Sequence, residues 1–114
     1  MSVVFYRHIS YQQEVNQVVH ERKVQSTNPR TRYATWYTPA RYDDPIRAQK
    51  ELALTSPPTH RLGPIPADEM PDFDIDLRPV APAFGQPGGG VEARTRLPLW
   101  LFGLWDFANG RWEL

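Results

Sequence analysis

Twelve prolines spread through 114 residues are the feature that most restricts how this chain folds. Proline lacks a backbone N–H and disfavours the α conformation in the residue before it, so it ends helices and weakens central strands. The sequence therefore predicts many short elements rather than long helices. A chain of this length has room for a core of its own, and we expect residues 1–114 to form a single domain.

Two helices and two strands are predicted in the first half of the chain. Ser10 and Gln13 form a capping-box pattern at the start of the first helix. Asp44–Pro45 is typical of a second helix start, because a carboxylate cap precedes a proline in the first turn. Strands are expected at VVFYRH (3–8) and RYATWYT (32–38), which are rich in branched and aromatic residues. The apolar positions that share one face of the first helix are Tyr11, Val15, Val18 and Val19.

The second half of the chain reads mainly as strands. HRLGPIP (60–66) is followed by DFDIDLRPV (72–80), where apolar residues alternate with aspartates, which predicts one apolar face and one solvated face. Further strands follow Val91, and Asn109–Gly110 indicates a tight hairpin turn. Together these patterns predict an α+β fold, with a small, strongly bent sheet and two short helices in the N-terminal half. The alternating apolar residues are Phe73, Ile75 and Leu77.

Charge is balanced overall but is unevenly distributed. Residues 1–61 hold nine Lys and Arg against five Asp and Glu, whereas residues 62–114 hold four against eight. One interpretation is a basic face suited to an anionic small ligand, and the other is attraction between the two halves. Nucleic-acid-binding proteins are usually more basic overall, so no DNA partner is expected.

Several other classes of site are disfavoured by the composition. The chain contains no cysteine, which excludes disulfides and thiolate metal sites and suits a reducing cytoplasm. The longest apolar run, 97–105, is too short to cross a bilayer, and Arg7 and His8 interrupt the apolar start, so neither a membrane partner nor a signal peptide is expected. The histidines lack metal-ligand spacing and the aspartates of 72–76 read as a solvated strand face, so no metal site is predicted.

Three polar features interrupt strand-like apolar surroundings. They are Arg7 on the first strand, the run Thr35–Trp36–Tyr37–Thr38, and Glu92, which follows three consecutive glycines at 88–90. Taken singly, each is more often an ordinary solvent-facing or strand-packing residue. A glycine triplet is likewise most often a flexible connection, and less often a place where bare backbone approaches a ligand.

In combination and order, these features resemble the ADP-ribosyltransferase superfamily, especially the small toxin domains found at the ends of bacterial polymorphic toxins. The similarity rests on YRHIS (6–10), TWYTP (35–39) and GQPGGGVE (85–92). These correspond to that family's arginine on the first core strand, its aromatic-Thr/Ser strand and its glutamate on a later strand. The segment FGQPGGG (84–90) also resembles necrotizing-toxin-type NAD glycohydrolases.

The resemblance implies that NAD is the substrate and that Glu92 is the catalytic residue. A carboxylate beside the ribose stabilises the positive charge that develops as nicotinamide leaves. The resemblance further implies that Arg7, with Tyr6 beside it, binds the diphosphate or a ribose. Trp36 or Tyr37 would offer a flat face for the nicotinamide ring. The remaining binding residues are Thr35 and Thr38, which are expected to support that strand and orient the glutamate. Gln86 is expected to assist from the glycine loop, FGQPGGG (84–90).

The function implied is a mono-ADP-ribosyltransferase toxin that transfers ADP-ribose to a macromolecular acceptor. It would act in the cytoplasm of a target cell after delivery within a larger secreted protein, with an immunity protein as a partner. Family members that modify arginine carry Glu or Gln two residues before the catalytic glutamate, where this chain has Gly90. Necrotizing-toxin-type hydrolases tend to carry glutamine at the position of Glu92, which favours transfer here. Two alternatives stay open: an NAD glycohydrolase with water as acceptor, and a non-catalytic interaction domain of the same fold.

Overall fold

Short strands dominate the computed structural model, which describes residues 4–24, 35–66, 74–95, 99–100 and 103–113. Two helices, α1 (Gln12–Glu21) and α2 (Pro45–Glu51), lie in the N-terminal half, as predicted. The strands of the described residues are β1 (Val4–Ile9), β2 (Lys23–Val24), β3 (Thr35–Tyr37), β4 (His60–Pro66), β5 (Asp74–Pro79), β6 (Val91–Thr95), β7 (Leu99–Trp100), β8 (Leu104–Asp106) and β9 (Arg111–Trp112).

The strands form separate antiparallel sheets rather than one continuous sheet. The larger sheet has the order β1-β4-β8-β9, a smaller sheet has the order β3-β6-β5, and β2 pairs with β7. The α+β class is therefore confirmed. The prediction of a strongly bent sheet is wrong, because no sheet is strongly curled. Strand twist accumulates only along long or numerous strands, and strands of two to seven residues end before it becomes a pronounced curl.

The two main sheets are joined at one point, where β1 meets the end of β3. Tyr6 and Thr38 exchange a pair of backbone hydrogen bonds, each with an N···O distance of 2.8 Å. The pairing of β1 with β4 has a register shift between Phe5 and Arg7, that is, at Tyr6. Residues on β1 are thereby brought beside residues on β3 and on its neighbour β6.

The core lies where α1, β1 and the strands of both main sheets pack together. Phe5 and Ile9 from β1, Leu62 and Ile65 from β4, and Leu104 from β8 are almost completely buried. Burial of this many large apolar side chains supplies the main driving force for folding. The other members of the cluster are Val15, Val18, Val24, Tyr37 and Ala93.

Helix α1 begins one residue later than the capping-box pattern predicts. Tyr11 occupies the cap position without a side-chain hydrogen bond, because Ser10 Oγ instead donates to the carbonyl of Ser56 at 3.1 Å. Of the four apolar residues predicted to share one face, Val15 and Val18 are buried. Tyr11 is 58% exposed and Val19 is 36% exposed. The buried stripe of α1 is therefore narrower than predicted.

Helix α2 begins as predicted. Asp44 is the cap residue and its Oδ1 accepts a hydrogen bond from the Ile46 N–H at 2.9 Å, with Pro45 in the first turn. At the other end, the carbonyls of Lys50 and Glu51 accept hydrogen bonds from Gly88 N and Gly90 N, each at 2.9 Å. The last carbonyls of a helix have no partner within it, so the glycine loop stabilises the end of α2.

Two glycines of this loop, Gly88 and Gly90, are required by close backbone packing. A Cβ on Gly90 would lie 2.8 Å from the carbonyl oxygen of Glu51, and one on Gly88 would overlap the carbonyl oxygen of Val80. Gly88 also has a φ of 71°, which residues with a side chain rarely adopt. The described contacts of these two glycines therefore lead to α2 and Val80, whereas the sequence suggested a close approach to a ligand.

Two further strand predictions have mixed outcomes. The hairpin of β8 and β9 is confirmed, but its turn has four residues, 107–110, and Gly110 N donates to the Asp106 carbonyl at 2.9 Å. β5 forms as predicted, yet Leu77 is 50% exposed, and Phe73 lies outside the described residues.

Neither helix of the described chain has the length and apolar character that crossing a bilayer requires.

Candidate functional site

A cleft opens where β1, β3 and β6 come together, beside the segment that follows α2. Leu52 and Leu54, which follow α2, form part of its walls. The other walls include side chains from the three polar features that the sequence analysis identified. These features lie about thirty to eighty-five residues apart along the chain, and only the joining of the two sheets brings them together. The predicted site residues that line the cleft are Tyr6, Arg7, Trp36, Tyr37, Thr38 and Glu92.

Two of the predicted binding residues do not belong to the cleft lining. Thr35 is 3% exposed, and its Oγ1 donates to the hydroxyl of Tyr37 at 3.2 Å within β3. Gln86 closes a tight turn with Ala83 through two backbone hydrogen bonds of 2.8 and 3.2 Å. Thr35 therefore supports the strand, whereas Gln86 lies on a turn whose residues do not line this cleft.

The guanidinium of Arg7 is already engaged by residues of the protein. Its Nε and Nη2 donate to the two carboxylate oxygens of Glu14 on α1, and its Nη1 donates to the carbonyl oxygen of Trp36 at 3.0 Å. Both partners of the ion pair are mostly buried, with side chains 19% and 17% exposed. Arg7 thus ties β1 to α1 and to β3. Any anionic ligand would have to share or replace Glu14.

The aromatic strand β3 offers one accessible ring rather than two. Tyr37 is 2% exposed and belongs to the hydrophobic core, and burial raises the pKa of its hydroxyl. Trp36 is partly exposed and is the better candidate for stacking against a flat ligand. The hydroxyl of Thr38 accepts a hydrogen bond from the N–H of Ala40 at 3.1 Å, which stabilises the turn after the strand.

Glu92 lies on β6, opposite Arg78 of β5. The next residue of β6, Ala93, pairs with Tyr37 of β3. Partial burial raises the pKa of the Glu92 carboxyl, although Arg78 and Arg94 act in the opposite direction. Among the described residues, no hydrogen bond to its carboxylate is found. A half-buried carboxylate with two cations nearby, and with no donor found among the described residues, has the capacity to accept hydrogen bonds from a ligand.

The structure adds one residue that the sequence analysis did not select. His8 lines the same cleft, is 5% exposed, and neither ring nitrogen has a hydrogen-bond partner among the described residues. Burial is the main reason that the pKa of His8 falls to about 4, and the positive charges of Arg61 and Arg7 contribute to the same shift. The imidazole is therefore uncharged near neutral pH. Its position beside Arg7 made contact with a ligand conceivable from the sequence, but an ordinary strand residue was the preferred interpretation, because neighbouring side chains of a strand point to opposite faces.

The cleft is small in this conformation, with a volume of about 50 Å³. Sites that enclose a ligand of moderate size usually measure about 300 to 1,000 Å³. The cleft is therefore too small, in this conformation, to enclose a whole ligand of that size.

A second group of polar side chains lies at the base of the β8–β9 hairpin. Ligand atoms of His60, Asp106 and Glu113 all lie within 4.8 Å of one another. The Asp106 carboxylate accepts hydrogen bonds from the backbone of Ala108 and from the side chain and backbone of Asn109. The bond from the Asn109 side chain is the main reason that the pKa of this carboxyl falls to about 2. These bonds give the cluster a structural role as the cap of the hairpin turn.

Comparison with protein-family models, with curated proteins and with solved structures found no match to this chain. The similarity to ADP-ribosyltransferases therefore rests on the short segments at 6–10, 35–39 and 85–92 alone. Any assignment of function has to be argued from the chemistry of the cleft.

Proposed function

We propose that this protein cleaves the nicotinamide–ribose bond of NAD in the cleft and transfers ADP-ribose to a macromolecular acceptor. The observation that carries the proposal is the convergence of Arg7, Trp36 and Glu92 on one cleft, from three distant segments. These are the groups that the chemistry needs: a cation for the diphosphate or ribose, a flat ring for nicotinamide, and a carboxylate beside the reacting sugar.

The role proposed for Glu92 follows from its surroundings. As nicotinamide departs, the ribose acquires positive charge, and a fixed carboxylate nearby stabilises that charge more strongly in the transition state than in the ground state. Partial burial increases the strength of this interaction, because fewer water molecules screen it. The absence of hydrogen bonds to the carboxylate among the described residues leaves its oxygens available for a ribose hydroxyl and for the incoming nucleophile.

The size of the cleft supports entry of the nicotinamide end only. A volume of about 50 Å³ does not hold a whole dinucleotide, so the nicotinamide ring would enter beside Trp36 and the diphosphate would lie toward Arg7. Binding would then require the Arg7 guanidinium to turn part of its hydrogen bonding from Glu14 to the ligand. A guanidinium has five donors, which makes such sharing feasible.

One observation favours hydrolysis as a second candidate function. The position two residues before Glu92 is Gly90, and a Cβ there would lie 2.8 Å from the carbonyl oxygen of Glu51. A second carboxylate or amide at this position, which would orient an arginine acceptor, does not fit without movement of α2. Gln86 does not line the cleft and so does not replace it. Water, or an acceptor other than arginine, suits this arrangement better.

The biological setting implied by the resemblance is part of the same proposal. The protein would act as a toxin domain in the cytoplasm of a target cell, after delivery within a larger secreted protein. An immunity protein that covers the cleft would protect the producing cell. A chain without cysteine has no disulfide that such a reducing compartment would break.

The test is incubation of the purified protein with NAD labelled in the adenylate half, both alone and with a cell lysate as a source of acceptors. Free nicotinamide together with labelled macromolecules would support transfer. Free nicotinamide with soluble ADP-ribose and no labelled macromolecule would support hydrolysis. No nicotinamide release with either preparation would contradict both and leave the interaction domain as the remaining reading.

A further inference from the structure

A second and larger cavity adjoins the candidate cleft. Its volume is about 480 Å³, which lies within the range of about 300 to 1,000 Å³ typical of small-molecule sites. Tyr6 lines both spaces, so the cavity and the cleft are neighbours. The cavity is formed by residues of β1 and β4, by the segment before α2 and by the β8–β9 hairpin. None of the catalytic roles proposed above uses it, apart from the shared Tyr6.

The walls of this cavity are rich in aromatic rings. Trp105 and Trp112 pack edge to face, with ring centroids 5.2 Å apart and planes inclined at 72°. The ring of Trp112 lies against Gly103, where a Cβ would approach it to 3.1 Å, and 52% of this tryptophan is exposed. The cavity therefore presents a large aromatic surface to solvent, held in place by a glycine and by a second tryptophan.

The cavity also carries an excess of positive charge. Arg61 is 3% exposed, with its guanidinium near the rings of Tyr6 and Phe107, at 5.8 and 5.5 Å from their centroids. Its Nη1 donates to the Asp43 carboxylate at 2.7 Å, and its buried Nε has no hydrogen-bond partner among the described residues. Arg41 shares the same carboxylate at 3.1 Å and is otherwise exposed. The described residues that line the cavity thus include two guanidinium groups and one carboxylate.

We propose that this cavity binds a nucleoside monophosphate. The base would stack on the exposed ring of Trp112, because every nucleobase has a flat π-face that aromatic side chains bind. The phosphate would lie toward Arg41, whose side chain is 59% exposed and whose planar fork suits a phosphate. A simple anion would make no stacking contact with the aromatic walls, and an uncharged aromatic molecule would not neutralise the excess positive charge.

This site is independent of whether NAD is cleaved in the neighbouring cleft. Two sources share the proposed chemistry: a separate nucleotide, free or within a nucleic acid, and the adenylate half of NAD. Both present a base and a phosphate at the spacing of one nucleotide. The binding experiment below therefore asks first whether the site exists and then which source fills it.

The test is isothermal titration calorimetry of AMP against the unmodified protein and four variants. Trp112→Ala removes the stacking surface and Arg41→Ala removes the exposed cation. Phe84→Ala and Arg47→Ala are the matched controls, because Phe84 is 70% exposed, Arg47 is an exposed arginine paired with a carboxylate, and neither lines the cavity. We expect a loss of affinity of about tenfold or more for Trp112→Ala, the typical effect of removing one stacked ring. Arg41→Ala should lose severalfold and show a weaker dependence on salt.

Two outcomes would overturn the site. The first is no detectable binding of AMP by the unmodified protein at millimolar concentration. The second is equal affinity in Arg41→Ala, Trp112→Ala and their controls, with all five proteins folded by circular dichroism. Because Arg41 lies on an exposed segment, its variant keeps the test valid even if removal of Trp112 disturbs the hairpin.

A competition experiment in the Glu92→Gln background identifies the source without consuming NAD. If saturating NAD displaces AMP, and Trp112→Ala weakens both ligands equally, the adenylate half of NAD fills the site. If AMP and NAD bind together with unchanged affinities, the site takes a separate nucleotide. Binding of AMP without any binding of NAD would support this site and contradict the proposed function of the cleft.

Discussion

At the scale of single residues, the structural role of Arg7 and the role proposed for it compete for one guanidinium. Its bonds to Glu14 and to the Trp36 carbonyl stabilise the fold, while the proposed chemistry requires it to bind NAD. Arg7→Gln and Glu14→Gln both break the same ion pair. We expect each to lower the free energy of unfolding by about 2 kcal/mol, the usual size for a hydrogen bond to a charged group, measured by urea denaturation.

The two variants should differ in their affinity for NAD, measured by calorimetry on a Glu92→Gln background. Arg7→Gln should bind NAD about tenfold more weakly, since it loses a charge-assisted anchor. Glu14→Gln should bind NAD as well as the parent or better, because the guanidinium is released. Equal affinity in both variants would limit Arg7 to its structural role.

His8 makes the stability of the fold depend on pH. Its folded-state pKa of about 4 lies below the ordinary value of 6.5, so the unfolded chain binds the proton more readily. The contribution is fully present above pH 6.5 and is lost as the pH falls toward 4, by on the order of 3 kcal/mol. His8→Phe, which keeps the edge-to-face contact with Tyr42, should remove this dependence. Urea unfolding of both proteins at pH 7.5 and pH 4.5 measures the difference, and parallel pH profiles would contradict the assignment.

At the scale of elements, the glycine loop stabilises α2 through backbone contacts. Gly88 and Gly85 have similar positive φ values of 71° and 74°, but a Cβ on Gly88 would overlap the Val80 carbonyl, while one on Gly85 meets nothing within 4 Å. Gly85→Ala should therefore cost only the strain of the left-handed conformation, about 1 to 2 kcal/mol. Gly88→Ala should cost this amount plus about 1 to 3 kcal/mol for the overlap, shown by a lower urea midpoint. Equal midpoints would mean that the close contact does not restrain this loop.

The elements that were predicted well are those whose signals are local. Asp44–Pro45 defines the start of α2 because the cap and the proline act within one turn. The start of α1 was misplaced because Ser10 binds the carbonyl of Ser56, a contact 46 residues away that no local pattern contains. The division of the strands into separate sheets likewise depends on long-range pairing, and the prediction of one strongly bent sheet was wrong because strand patterns do not contain this information.

At the scale of the whole molecule, the arrangement of the cleft is determined by one joint between sheets. Residues of β1 and β3 meet because Tyr6 and Thr38 exchange backbone hydrogen bonds, and β6 pairs with β3. The sequence alone identified most residues of the cleft through their chemistry and their order. It did not identify His8, the pairing of Arg7 with Glu14, or the second cavity, because these depend on how distant side chains pack.

The central claim, that Glu92 cleaves NAD in this cleft, is tested most directly by nicotinamide release from the unmodified protein and from Glu92→Gln. The account predicts a loss of turnover of about a hundredfold or more, because charge stabilisation and general-base help disappear together. Burial raises the pKa of Glu92, so the folded state disfavours its charge, and the variant should be at least as stable at pH 7. The gain in stability of Glu92→Gln should shrink as the pH falls and the Glu92 carboxyl group becomes protonated. Equal turnover in the two proteins, or no release by either, would contradict the account.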